Sequence, residues 1–276
     1  MLSQKYERVD VFATSLEKGA TQIAKENIGK YETYVVAGGD GTLNEVINGI
    51  AENSNAPNIG YIPAGTTNDV AHSLKIPRNI KKAVKVILRE KVFNHDIFKV
   101  NDKYAIYVCA TGLGCEASYK TKQKDKKFLG KLAYFIFGAK KFFQTKPLDL
   151  KIHFKENDKE VSISNRCSLM LILNSRYVSG FKVNKKAVLD DGYVDVVLIK
   201  NNSLKLNFLS IFTLLRLFLF GLDYTKKKKD KYLSYYKLKE FKIDVENSQD
   251  INLDGELGLN GSFDIKMIKK GVKIFI

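Results

Sequence analysis

The stretch that decides the fold is Val35-Val36-Ala37-Gly38-Gly39-Asp40-Gly41-Thr42-Leu43-Asn44-Glu45. It begins as a short apolar strand and passes through three glycines and an aspartate into a helix whose apolar residues continue to Ile50. Glycine lets the backbone approach a ligand closely, and a helix N-terminus offers unpaired N–H groups to an anion. Thr42 and Glu45 have the spacing of a capping box. The stretch predicts a phosphate-binding loop, or a tight strand-to-helix turn that needs glycine for its dihedral angles.

A second glycine motif, Pro63-Ala64-Gly65-Thr66-Thr67-Asn68-Asp69, follows an apolar strand at residues 59–62. Its hydroxyls can donate to phosphate oxygens, and Asn68 and Asp69 can orient a group or hold Mg²⁺ through water. Taken alone, this motif is typical of a turn that glycine begins and Asn or Asp caps. Strands and helices alternate in this part of the chain, which predicts a parallel sheet whose ligands bind at the carboxyl ends of its strands. Both motifs fall at that edge and together predict two walls of a phosphate site.

The pattern changes near residue 93 from alternating strands and helices to a succession of strands. We therefore predict an α/β domain of Rossmann type over residues 1–92, with strands at Val9–Ala13 and Thr33–Ala37. Residues 93–276 are predicted to form an antiparallel β-sandwich with helical excursions, and a cleft should separate the two domains. The fold class is thus α/β plus β-sandwich. The almost wholly apolar segment Leu204–Leu222 predicts either a helix at a membrane interface or a helix packed over the sandwich core.

The charge of the chain is strongly basic. Its 276 residues carry a net charge of +16, with 40 Lys and 6 Arg, which favours nucleic acid or acidic lipid as a partner. Lysine dominance favours the membrane, because readout of base edges relies on the arginine fork. Ten lysines lie between residues 120 and 151, and eight between 226 and 242. Three cysteines are too few and too irregularly spaced for a disulfide framework, and the start has no apolar signal core, so a cytoplasmic protein is expected.

Two Asp-Gly sequences lie between apolar runs, at Asp190-Asp191-Gly192 and at Leu253-Asp254-Gly255-Glu256. Asp-Gly is a strong signal for a β-hairpin turn, so each has a structural explanation. A carboxylate one residue beyond such a turn would be held rigidly, which makes Glu256 a candidate base. The sequence contains no P-loop, no protein-kinase loop and no Ser-His-Asp arrangement.

Taken together, these motifs resemble the diacylglycerol kinase catalytic-domain family, in particular the bacterial soluble lipid kinases. NAD kinases share the first motif, but the Thr-Thr-Asn-Asp and Leu-Asp-Gly-Glu elements are more similar to the lipid branch. The matching stretches run in the right order along nearly the whole chain: residues 38–45, 65–69, Gly130-Lys131-Leu132-Ala133-Tyr134, 189–192 and 253–256.

The resemblance implies an α/β nucleotide domain, a β-sandwich lipid domain and a lipid kinase that uses ATP and Mg²⁺ to phosphorylate the hydroxyl of diacylglycerol or a related lipid. Glu256 would be the general base, Asp40 and Asp69 would belong to the Mg²⁺–water network, and Asp191 would hold a structural Mg²⁺ with the carbonyls of Val188 and Tyr193. The ATP contacts that the resemblance implies are Gly39, Asp40, Gly41, Thr42, Leu43, Asn44, Glu45 and Thr66.

The lysine clusters would then dock the enzyme on an anionic membrane, at the inner face of the cell membrane. No specific nucleic acid is expected as a partner, and a homodimer is left open.

One departure from the family concerns the first residues. Members usually open with a strand that ends in an Asn-Pro-x-x-Gly-type loop, and nothing like it precedes Tyr6. We therefore expect the chain to start at the family's second strand. The alternative function is that of a non-catalytic membrane-binding relative that lost part of the ATP site.

Overall fold

The structure is a computed structural model that describes residues 1–15, 17–112, 147–201, 208–222, 231–246 and 250–276. A 3-10 turn at Leu2–Gln4 precedes the helices, which are α1 (Ala20–Glu26), α2 (Asp40–Ile50), α3 (Asp69–Leu74), α4 (Ile80–Arg89) and α5 (Phe208–Phe220). The strands are β1 (Thr33–Gly38), β2 (Asn58–Pro63), β3 (Val92–Val100), β4 (Lys103–Ala105), β5 (Val108–Gly112), β6 (Leu148–Glu156), β7 (Lys159–Leu173), β8 (Val194–Lys200), β9 (Leu233–Leu238), β10 (Glu240–Val245), β11 (Asp250–Leu253), β12 (Glu256–Asn260) and β13 (Phe263–Phe275).

The N-terminal part is a small α/β layer. Strands β1 and β2 pair in parallel from Thr33↔Asn58 to Gly38↔Pro63. Helix α2 follows β1 directly and buries Leu43, Ile47 and Ile50 against this layer. Because β1 and β2 end level with each other, the two glycine motifs that follow them meet at one edge of the sheet, as the sequence predicts.

The C-terminal part is antiparallel, so the mixed α/β fold class predicted from the sequence is confirmed. Hydrogen-bonded strands follow the order β1-β2-β13-β10-β6-β7-β5-β11-β12, while β3 and β4 branch from β13, and β8 and β9 branch from β7. Strand β13 joins the two parts: Phe263 to Lys266 pair with β10, and Ile274 pairs in parallel with Ile59 of β2. Strand β13 is a single strand with an irregularity between Ile268 and Val272.

Two hydrophobic cores hold these layers together. One lies within the antiparallel part and includes Phe98, Ile152 and Phe263. The other extends from the α/β layer, through Ile59 and Leu171, to Leu214 of α5, so it is continuous across the predicted domain boundary. The division at residues 92 and 93 stays a prediction.

The predicted strand Val9–Ala13 is wrong. These residues are irregular and exposed, with Val11 90% and Phe12 51% accessible. Apolar alternation gives a segment the propensity for a strand, but a strand also needs a hydrogen-bonding neighbour, and none pairs with this segment among the described residues.

The apolar segment at residues 204–222 forms a helix where it is described. Helix α5 packs on the sheet through Leu214 and Leu217. No helix in the described ranges has the length and apolar character needed to cross a membrane. Most of the first lysine cluster, the segment at residues 130–134 and the four lysines 226–229 lie outside the described residues.

Candidate active site

The two glycine motifs pack against each other at the edge of the parallel sheet. Ala64 N donates to the carbonyl oxygen of Gly38 at 2.8 Å. A Cβ atom placed on Gly65 would lie 2.5 Å from the Cα of Gly39, closer than any side chain allows. Glycine at position 65 therefore lets the two loops form one continuous surface.

The carboxylate of Asp40, which follows the first glycine loop, is hydrogen-bonded to the residues that follow the second. It is buried and accepts hydrogen bonds from the backbone N–H groups of Asp69 at 2.8 Å and Val70 at 3.2 Å. Burial raises the pKa of Asp40, and the two N–H donors act in the opposite direction. Asp69 is buried as well, and its Oδ1 accepts from Gly180 N at 2.7 Å. Asp40 thus links the first glycine loop to the start of α3, and Asp69 links α3 to the segment at Gly180.

Asn68 and Arg78 fix the conformation of the second loop. The Asn68 side chain accepts from Gly65 N at 2.9 Å and donates to Gly65 O at 2.8 Å, while its backbone adopts a left-handed φ of 54°. The guanidinium of Arg78 donates to the carbonyls of Gly65 at 3.1 Å and Thr66 at 3.4 Å. Arg78 thus brings a positive charge to this edge, and no local sequence signal connects it to the motif.

The predicted capping box at the start of α2 is wrong. The N-cap is Gly39, and no side chain caps it. Glu45 instead accepts from Ala20 N at 2.9 Å through Oε2, so its carboxylate satisfies a free N–H in the first turn of α1. A sequence spacing of three residues could not reveal this partner 25 positions away.

Glu256 reaches the same edge from the other side. Asp254 and Gly255 have left-handed φ values of 50° and 93°, and Leu253 pairs with Glu256, which is the geometry of a two-residue hairpin. The Oε1 atom of Glu256 lies 3.1 Å from the position of a Cβ on Gly41, in the first turn of α2. Burial and the neighbouring Glu45 raise the pKa of Glu256, and Lys103 acts in the opposite direction.

Asp254 secures this hairpin, a role that the sequence analysis missed. Its buried carboxylate accepts from the backbone N–H groups of Ile106, Tyr107 and Val108 at 2.7 to 3.0 Å. Asn44 of α2 donates to it as well, at 2.6 Å. Burial raises the pKa of Asp254 to about 7, and these donors act in the opposite direction. Through Asn44 and Asp254, helix α2 and the Glu256 hairpin are connected.

The residues predicted to contact ATP are close in space but differ in exposure. Leu43 is fully buried, and the Asn44 amide is engaged by Asp254 and the Tyr104 carbonyl. Side chain or backbone remains accessible at Gly39, Gly41, Thr42 and Thr66. A phosphate here would meet the backbone N–H groups that begin α2 and the Thr66 hydroxyl. The individual ATP contacts stay predictions.

The predicted structural Mg²⁺ site has a different character. Asp191 Oδ1 accepts from Tyr193 N at 3.0 Å, and Oδ2 accepts from the ammonium of Lys237. That ammonium also lies 5.8 Å from the centre of the Tyr193 ring. Oxygen donors suit Mg²⁺, but a cation at Asp191 would have to displace Lys237, so the residues as arranged do not fit the metal. Across the described part of the chain, no three His, Cys, Asp or Glu side chains are grouped to hold an ion.

Comparison with known proteins gives a consistent result. The sequence profile of the diacylglycerol kinase catalytic domain matches residues 1–100. A diacylglycerol kinase of Staphylococcus saprophyticus is 35% identical over 258 residues, which cover 92% of this chain and 80% of that protein. A diacylglycerol kinase of Staphylococcus carnosus is 35% identical over 266 residues, 96% of this chain and 83% of that protein. The chain belongs to the diacylglycerol kinase family.

Solved structures support the same fold. The crystal structure of a diacylglycerol kinase from Bacillus anthracis superimposes with a TM-score of 0.78 at 23% identity, covering 99% of this chain and 88% of that one. Membership of the diacylglycerol kinase family confirms the expectation of a lipid kinase, with ATP as co-substrate and a lipid as acceptor.

Proposed function

We propose that the chain transfers the γ-phosphoryl group of ATP to the hydroxyl of diacylglycerol or a closely related lipid alcohol, giving a phospholipid such as phosphatidic acid. One observation carries the proposal: the Glu256 carboxylate lies against the first turn of α2, so a base and a phosphate-binding helix terminus face the same volume. Phosphoryl transfer depends mainly on positioning and on neutralising charge, which this arrangement supplies.

In the proposed reaction, the start of α2 and the Gly65 loop bind the phosphates of ATP. Glu256 accepts the proton of the lipid hydroxyl while that oxygen forms a bond to the γ-phosphorus. The bond between the γ-phosphorus and the bridging oxygen breaks, and ADP leaves. A raised pKa makes Glu256 a stronger base than an ordinary glutamate, provided that it is ionised at the working pH.

Mg²⁺ fits this site through water. Asp40 and Asp69 are buried and hydrogen-bonded to the backbone, but carboxylate oxygens carry more lone pairs than these bonds use. Mg²⁺ usually keeps several waters and takes few protein ligands beside substrate phosphates. When bound, it would offset the phosphate charge, and Asp40 and Asp69 would hold its waters from behind the loops.

We propose that the enzyme works at the inner surface of the cell membrane, where a lipid alcohol is available. In the alternative, a non-catalytic relative keeps the basic surface. That function does not require the Glu256 carboxylate to lie beside Gly41. The position of Glu256 therefore favours the enzyme.

The test measures transfer of labelled phosphate from ATP to diacylglycerol in detergent micelles. Glu256→Gln should lower turnover by at least about a hundredfold, the usual contribution of a general base, and leave ATP affinity within about twofold. Glu160→Gln, at an exposed glutamate on β7, is the matched control and should change neither. Full turnover by Glu256→Gln would remove Glu256 as the base, and a wild type that binds anionic vesicles without binding ATP would establish the non-catalytic alternative.

A further inference from the structure

We propose that the exposed apolar face of α5 and the adjoining segment at residues 176–187 form a surface that inserts into an anionic lipid bilayer. This α5 surface comprises Phe212, Leu219, Phe220, Lys182 and Lys185. The inference rests on the proposed function only in that a membrane lipid is the substrate.

Helix α5 has an apolar face that the fold does not cover. Leu214 and Leu217 are buried on one side, whereas Phe212, Leu219 and Phe220 are 66%, 62% and 67% exposed. Residues at i, i+7 and i+8 lie on one side of a helix, so these three side chains form a single stripe. A stripe of large exposed side chains marks an interaction site more often than single exposed residues do.

The surroundings of this stripe are basic. Leu222 N, just after α5, donates to the Val183 carbonyl at 2.7 Å, which brings the segment at residues 176–187 against the end of the helix. Lys185 Cε lies 3.2 Å from the position of a Cβ on Gly221, and Lys182 and Lys185 are exposed. Neither residues 176–187 nor residues 208–222 contain an Asp or Glu.

Exposed apolar side chains beside lysines favour an anionic bilayer as the binding partner of this surface. Large apolar side chains can enter the boundary between headgroups and acyl chains while lysines beside them meet anionic headgroups. A protein partner or a second copy of this chain, itself at +16, would have to present a strongly acidic apolar groove to match the same surface.

The α5 surface is also connected to the candidate active site. Gly180 N donates to Asp69 Oδ1 at 2.7 Å, and the next residue, Phe181, packs edge-on against Phe218 of α5 with ring centres 5.6 Å apart. Arg176, in the same segment, donates to the Ser73 carbonyl of α3 at 2.8 Å. One short segment thus touches both the phosphate loop and the proposed membrane contact.

The first experiment uses fluorescence, because the chain contains no tryptophan. Phe220→Trp should show a blue shift of its emission when vesicles of phosphatidylcholine with about 30% phosphatidylglycerol are added, and brominated lipid should quench it. Phe12→Trp, at an exposed position on the other part of the molecule, should show neither change. If the protein binds the vesicles but the tryptophan emission of Phe220→Trp is neither shifted nor quenched, the proposal is wrong.

The second experiment measures affinity for the same vesicles by sedimentation without ATP. The double variant Leu219→Ser and Phe220→Ser should bind at least about tenfold more weakly. Changing Lys182 and Lys185 to Gln should cost about fivefold per lysine and reduce the salt dependence. Ile80→Ser and the pair Lys155→Gln and Lys159→Gln, at exposed positions elsewhere, are the matched controls and should bind like the wild type.

Turnover of a water-soluble short-chain diacylglycerol separates this inference from the proposed function. The α5 variants should keep that turnover and the thermal stability of the wild type, since their side chains are exposed. If the Leu219 and Phe220 variant binds vesicles like the wild type, the membrane-surface proposal is wrong and the kinase proposal is unaffected. If the wild-type protein binds vesicles but shows no turnover, the kinase proposal is wrong and the membrane-surface proposal is unaffected. A concentration-dependent dimer that this variant abolishes would identify the surface as a contact between two copies and would also overturn the proposal.

Discussion

Two Asp-Gly turns with the same sequence signal have different roles in this molecule. At Asp254-Gly255 the aspartate is buried, accepts three backbone N–H groups and one amide, and places Glu256 beside α2. At Asp191-Gly192 the aspartate is partly exposed, and Lys237 balances its charge. The dipeptide bends the chain in both places but forms a two-residue hairpin only at Asp254-Gly255. The donors that surround the carboxylate decide whether it holds a candidate active-site residue in place.

The largest effect should come from Asp254→Asn. An amide in this position keeps one oxygen but turns an NH₂ group towards buried N–H donors, which leaves them without an acceptor. We expect the free energy of unfolding to fall by about 3 kcal/mol. The measurement is denaturant unfolding near pH 8.5, where the carboxylate is ionised because its pKa is about 7.

The corresponding change in the other turn, Asp191→Asn, should cost less than about 1 kcal/mol, because ion pairs that are partly solvated contribute little. The same denaturant series measures it. Equal losses for the two variants would remove the distinction between the turns.

The glycines should have an effect smaller than that of Asp254→Asn, and here the two Asp-Gly sequences should behave alike. Gly255 and Gly192 have φ values of 93° and 82°, a region that costs a residue with a Cβ about 1–2 kcal/mol. A Cβ would find ordinary contacts at 3.4 Å or more in both places. Gly255→Ala and Gly192→Ala should therefore lower the melting temperature by similar amounts in calorimetry. A much larger decrease in melting temperature for Gly255→Ala would mean that the backbone conformation of that turn also contributes to the stability of the fold.

The pH dependence of activity tests whether the Asp254-Gly255 turn positions Glu256 as a general base. A general base acts when ionised, so kcat/KM should fall as the pH decreases through the raised pKa of Glu256. Lys103 lowers that pKa, and Lys103→Gln should therefore move the acid limb of the profile to higher pH. Asp191→Asn should leave the limb in place. A profile unchanged by Lys103→Gln would argue against Glu256 as the titrating group.

The smallest effect concerns the metal at the second turn. If Lys237 substitutes for a cation at Asp191, millimolar Mg²⁺ without nucleotide should leave the melting temperature nearly unchanged. Lys237→Met removes the competing ammonium and should make the protein respond to Mg²⁺, and adding Asp191→Asn should abolish that response. A Mg²⁺-dependent increase in the wild type that Asp191→Asn removes would instead establish the metal site that the family resemblance implies.

Local patterns in the sequence were sufficient for most of the architecture. The change near residue 93 to a succession of strands predicts the antiparallel part that the structure contains, and the glycine motifs indicate their own position at the sheet edge. The errors arise where partners are distant in sequence. Val9–Ala13 has the composition of a strand but no paired neighbour in the described structure.

Distance along the chain also explains what was missed at the site. Glu45 caps a helix 25 residues upstream, and the donors to Asp254 lie 146 to 148 residues before it. Arg78 reaches the second loop from beyond α3. Such contacts depend on how elements meet in space, and no single window of sequence contains them.

Strand β13 has a consequence for motion. Its first half is hydrogen-bonded within the antiparallel part, and Ile274, near its end, pairs with Ile59 of the α/β layer. A hinge that opened the two parts widely would have to break this pairing and expose a fully buried isoleucine. We therefore expect slow amide hydrogen exchange at β13 and β2 with the same opening free energy, so that nucleotide and lipid enter through movement of loops and side chains while the two layers remain one cooperative unit.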